Sequence, residues 1–349
     1  MNITFLIGNG FDLNLELNTR FSDFIKIYHD INDDDPRIIR FKNALEKTFN
    51  AWSDFEVWLG EYTDEYKNNE QGDLIYCLNN FIIQFSDYLK NEENRVNYQN
   101  NSDEIVSVFT RSICKYYSHL PTGRQNIITS SVSDYLSENW EYNFITFNYT
   151  DVLRKCLDVL KEKKHPVNTH KGTGIYEKTT YNEIVGQIIH IHGTTIERMI
   201  MGVDNETQIK NEEYRSSERI LQMLIKPQMN DYLQMLNDQK ATRFINESKI
   251  VCIFGMSIGE TDLSWWKTIS AWLQGDDDNQ LIIFWWDENY SRLSPYDIYD
   301  NDTEIRDKFF RLTEFPEEKQ SEYVRRIHVA INSDMFKVNL LYQENTDKT

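Results

Sequence analysis

Apolar positions along the chain follow two patterns. Short, nearly unbroken apolar runs occur at 3–7, 143–147, 187–191, 249–254, 280–286 and 326–330. Runs this short, rich in β-branched and aromatic residues, predict strands buried on both faces. Between them lie longer stretches with apolar residues at three- and four-residue spacing, at 21–139, 151–164 and 205–248, which predict helices. Six strands separated by helices imply an α/β fold with a parallel, doubly wound sheet. Residues 1–20 and 140–349 supply the sheet-forming core, and 21–139 form a large helical insertion after the first strand. Within it, Phe49 to Tyr62 sets Trp52, Phe55 and Leu59 on one face with Trp58 alongside, a pattern of core packing; Asp54 and Glu56 there are in reach of a site, although two acids on a surface helix are usually solvated. The Asn-rich stretch 91–103 reads as a surface loop, and 205–248 as a second cover on the sheet with room for a lid.

Four of the strands run directly into polar turns. These are Gly8-Asn9-Gly10-Phe11-Asp12, Asn148-Tyr149-Thr150, His190-Ile191-His192-Gly193-Thr194, and the turn from Gly255 through Ser257 to Asp262. In an open parallel sheet, ligands bind outside the carboxyl ends of the strands, so four such turns predict one shared crevice. Glycines in the first turn would let the backbone approach a nucleotide phosphate. The dehydrogenase fingerprint is not met: the third glycine position of G-x-G-x-x-G is Leu13, and no acid closes a second strand about 20 residues on. Each polar residue also has a local use. Asp12 suits a cap on the first helix, Asn148 a cap on the next, and Asp262 a cap on the Trp-rich helix or a ribose contact. His190 and His192 share a face of an extended chain, but no third ligand accompanies them, so no metal is expected. The basic loop 165–174, with two glycines, has the composition to fold over a phosphate but reads first as a mobile surface loop.

Composition narrows the function. With 349 residues, 40% of them hydrophobic, the chain can bury a sizeable core. A net charge of -19 without a basic stripe disfavours nucleic acid, yet leaves room for a small nucleotide held by local donors. Cys77, Cys114, Cys156 and Cys252 are scattered without a C-x-x-C, which fits a reducing cytoplasm. No basic leader precedes Gly8, and the longest apolar run, Leu281 to Trp286, is too short to span a bilayer, so no membrane association is expected.

Together the four turns, with Ile145-Thr146-Phe147 before Asn148 and Phe254 before Gly255, resemble the bacteriophage abortive infection AbiH family, and Trp52-Ser53-Asp54-Phe55-Glu56 is similar to a helical element of that family. More distantly, the turns resemble those of SIR2-type NAD-binding domains. That resemblance implies a Rossmann-like fold and a site for NAD, as substrate or ligand. Gly8 and Gly10 match the first glycines, Asn148 the ribose-binding asparagine, His192 the general base, and Gly255 with Ser257 the late nucleotide-binding turn. Asn9, Phe11, Thr150, Gly193 and Asp262 complete the implied binding set, and Asp12, ionised, would offset positive charge developing on the ribose. Asn9 and Thr150 depart from the SIR2 pattern, and the sirtuin zinc module is absent, which argues against deacetylation. The resemblance implies an antiphage effector that binds and hydrolyses NAD and is triggered by a phage product, a partner protein or oligomerisation. The alternatives are a nucleotide sensor without turnover, and a metal-dependent nuclease built on His190, His192 and Asp204.

Overall fold

The computed structural model describes residues 1–49, 55–291 and 293–342. Trp52, Ser53 and Asp54 lie outside them. Seven strands make one sheet: β1 (Asn2–Ile7), β2 (Trp140–Thr146), β3 (Asn168–Lys171), β4 (Thr180–His190), β5 (Ser248–Phe254), β6 (Gln280–Trp285) and β7 (Ile327–Ile331). Their order is β3-β4-β2-β1-β5-β6-β7, parallel throughout except for β3, which pairs antiparallel with β4. The fold is thus the doubly wound, Rossmann-like α/β architecture the strand pattern predicts. One element differs: the stretch 165–174, expected as a surface loop, contains β3. Only four residues long and half-exposed, β3 has no apolar run to announce it. β4 begins at Thr180, well before the apolar run at 187, because its first three residues are paired only to this exposed edge strand.

The central strands are buried on both faces, and their side chains sort by parity. Ile3, Phe5, Ile7, Cys252 and Phe284 face one core; Leu6, Val251, Ile253 and Ile283 face the other. The register sets Phe5 opposite Phe144, and their rings stack at 5.2 Å. On the Phe5 side lie the helices α1 (Gly10–Asn14), α2 (Ser102–Cys114), α3 (Thr122–Ser131) and α4 (Val152–Lys163). Opposite them lie α5 (Asn237–Asn246), α6 (Leu263–Gly275) and α7 (Pro295–Leu312).

A third core joins helices at Phe21–Asp30, Pro36–Phe49, Phe55–Tyr62 and Gln71–Glu93 to the segment from Met201 to Ile225. Phe55, Trp58 and Leu59 are buried in it, as their spacing predicts, and Phe55 stacks on Phe81 at 4.2 Å. The stretch 21–139 is therefore divided. Its first part forms a helical body together with 201–225, and its second part covers a face of the sheet. Among the described residues no helix is long and apolar enough to cross a membrane.

Candidate functional site

Strand order reverses at β1, whose neighbours β2 and β5 lead outward in opposite directions. There the first and last polar turns meet backbone to backbone: Gly8 N–H donates to Phe254 O and Gly10 N–H to Gly255 O, both at 2.9 Å. A Cβ on Gly8 would stand 2.6 Å from Gly255 O, and one on Gly10 would stand 2.5 Å from Gly255 Cα. Gly255 itself adopts φ +70°, where a side chain is strained. Mutual approach of two turns therefore accounts for these glycines. With Phe11 N–H also donating to Gly8 O at 3.0 Å, three N–H groups of the expected phosphate cradle are committed inside the protein.

Beyond the strand ends opens a crevice of about 860 Å³, within the range of ligand sites. Gly8, Asn9, Gly10, Asp12, Asn148, Thr150, His192, Gly255, Ser257 and Asp262 all line it. Two of the sequence-derived residues do not. Phe11 turns into the core against Phe109 and Phe336, and Gly193 closes the turn behind His192. Asn9 lines the crevice, but its amide is spent locally: its Nδ2 donates to Thr19 O at 3.2 Å and its Oδ1 accepts from Thr19 Oγ1 at 2.6 Å.

At the inner wall, Thr150 Oγ1 donates to Asp12 Oδ2 at 2.6 Å, while Asp12 Oδ1 has no hydrogen-bond partner. Beside this carboxyl, near enough to favour its ionised form, lies Asn148, 6% exposed, with no hydrogen bond of good geometry at either its Oδ1 or its Nδ2. Burial pushes Asp12 up to about 7; Thr150 and Asn148 oppose the shift, and Glu93 adds to it. Asp12 is thus neither a helix cap nor a fixed negative charge as expected, but a carboxyl that exchanges its proton near neutrality. Asn148 caps nothing either, since Asp151 occupies the cap position of α4. Glu93 braces this wall, accepting from Asp151 N–H at 2.9 Å and Thr195 Oγ1 at 3.1 Å.

The two histidines separate. His190 Nδ1 lies 3.3 Å from Asn148 O and its Nε2 3.3 Å from Asp151 Oδ1, so this ring supports the Asn148 turn. His192 faces the crevice between Phe147 and Tyr149. Burial, reinforced by the Lys226 ammonium, holds its pKa well below the usual histidine range and keeps the ring neutral.

Lys226, not singled out from the sequence, is 3% exposed and pairs with Glu56 Oε2 at 2.7 Å and Asp262 Oδ1 at 3.3 Å. Burial alone would strip its proton, but the two carboxylates outweigh burial and hold its pKa above the ordinary lysine value. Glu56 is accordingly not solvated but buried in an ion pair and reaches the crevice, and Asp262 accepts no capping hydrogen bond from α6. One signal was available: Lys226 opens a helix (Lys226–Tyr232) with Pro227 at its start, where a cation opposes the helix dipole unless acids compensate. At the rim, Arg20 and Lys337 are exposed and make no ion pair among the described residues.

Fold and site together define a doubly wound α/β protein with a large crevice at its topological switch point. Residues 4–285 match the family described as bacteriophage abortive infection AbiH, and the chain belongs to that family. Its role therefore lies in abortive-infection defence against phage. No individually curated protein matches the chain.

Proposed function

We propose that the crevice binds NAD or a closely related nucleotide and hydrolyses its nicotinamide–ribose bond, depleting the infected cell. The observation that carries this reading is Asn148. A buried amide with both its donor and its acceptor unsatisfied fits a group offering both, such as the vicinal hydroxyls of a ribose. The rim cations Arg20 and Lys337 suit the phosphates, and Phe21, Phe85, Trp285 and Trp286 supply aromatic surface for a base.

In this reading the C1′–N1 bond breaks with its electron pair passing to the ring nitrogen, so the leaving nicotinamide is neutral. Asn148 fixes the ribose, water adds at C1′, and Asp12 accepts the water's proton. Asp12 suits that task better than His192, because a base is most effective with a pKa near the operating pH. His192, neutral throughout, serves as an acceptor for a ribose hydroxyl.

Nicotinamide release from NAD by the purified protein, compared with Asp12→Asn and Asn148→Ala, tests the proposal. Release that both substitutions lower by about 10²-fold or more supports it. Release equal in all three proteins overturns the assignment. The suppressed basicity of His192 favours a second reading, a nucleotide sensor without turnover. Recovery of intact nucleotide from the purified protein, with protection from phage unchanged by Asp12→Asn, would establish that alternative.

A further inference from the structure

A smaller cavity of about 200 Å³ adjoins the crevice, and His192, Lys226 and Asp262 line both. Asp204, Asp238, Asn230 and Trp265 also line it, together with Thr242, Ser264 and Thr268. Lys226 is already matched by Glu56 and Asp262, whereas Asp204 and Asp238 make no ion pair among the described residues. Asp204 Oδ1 accepts from Ser264 Oγ at 2.5 Å. Both Asp238 oxygens accept from Asn230 Nδ2, at 2.9 and 3.1 Å. Asn230 is 4% exposed, and its Oδ1 has no hydrogen-bond partner. A buried acceptor, two carboxylates without cations and an indole thus bound one small volume.

We infer that this cavity binds a small planar organic cation carrying N–H donors, an amidinium or guanidinium, or a cationic ring bearing an amide. The carboxylates supply charge, Asn230 Oδ1 accepts an N–H, and the Trp265 ring offers a cation–π surface. A neutral polar ligand would leave the two acids uncompensated, and an anion would meet them directly. Burial pushes Asp238 up to about 6, a strain that a bound cation relieves. The volume admits one ring and its substituent but not a dinucleotide. The cation is therefore either the head of a ligand whose body lies in the crevice or a free small molecule. The inference rests on these groups alone and does not require the crevice to hold a nucleotide.

Benzamidinium and its uncharged analogue benzamide, titrated into the full chain by calorimetry or saturation-transfer NMR, provide the test. Benzamidinium is expected to bind at least about tenfold more tightly than benzamide, and Asp204→Asn to remove about tenfold of its affinity. Thr268→Phe, at a half-buried position of α6 lining the cavity, should block both probes and serves if Asp204→Asn fails to fold. Equal binding of the two probes, binding unaffected by both substitutions, or no benzamidinium binding overturns the inference. Displacement of benzamidinium by NAD but not by ADP-ribose identifies the head of a larger ligand as the occupant. Benzamidinium binding that NAD does not disturb identifies a free cation. Either result supports the site, while a failure of NAD and ADP-ribose to bind at all counts against the nucleotide reading alone.

Discussion

Asp12 joins the fold's stability to its chemistry. Its folded pKa of about 7 lies above the ordinary carboxylate value, so the native state favours the protonated form. The contribution of Asp12 to stability should therefore be greatest below about pH 4, decline as pH rises through about 7, and level off above it. A shift from 3.8 to about 7 corresponds to about 4 kcal/mol at most. Asp12→Asn lacks the titration, so urea denaturation across pH should show it more stable than the parent protein above pH 7 and without this slope below. The same group sets the expected activity profile. NAD turnover should rise with pH through about 7, and the inflection should vanish in Asp12→Asn. His192, held neutral by burial, should contribute no inflection between pH 5 and 8. An inflection that persists in Asp12→Asn and disappears in His192→Ala would return the base to His192.

At the scale of elements, the sheet was largely legible. Ile3–Ile7, Ile250–Phe254 and Leu281–Phe284 are apolar because parallel central strands are buried on both faces, and such runs announce themselves. β3 was not legible, since an exposed edge strand needs no apolar residues. The turns were legible as the walls of one crevice, but not the close approach that Gly8 and Gly10 make to Gly255. Long-range partners such as Thr19 for Asn9, or Lys226 for Glu56, leave only faint local traces. The glycine account has a direct check. Gly255→Ala, forced to φ +70° and 2.7 Å from Phe11 N, should lose about 2–5 kcal/mol of stability. Gly72→Ala, where an added Cβ meets nothing within 4 Å, should be neutral or stabilising by up to about 1 kcal/mol. Equal effects in thermal melts of the two variants would refute the close-approach explanation.

For the whole molecule, the crevice lies where sheet and helical body meet, and Lys226 ties them together. Glu56 comes from the helical insertion, Asp262 from the turn after β5 and Lys226 from the segment between β4 and β5. Lys226→Met leaves two acids without their cation and should cost about 3–5 kcal/mol. Replacing all three by apolar residues of similar size should recover much of that loss, measured by chemical denaturation. The protein carries -19 overall, yet its crevice presents Arg20 and Lys337 at the rim and a carboxyl that is only partly ionised at neutrality within. In the proposed reading, these local groups would receive an anionic ligand against the net field. The central claim concerns what happens to that ligand during infection. Following NAD and nicotinamide in phage-infected cells carrying either the wild-type chain or Asn148→Ala at equal abundance tests it most directly. A fall in NAD with matching nicotinamide release in wild-type cells alone is the expected result; NAD levels that stay equal in the two while the wild type still blocks the phage would contradict it.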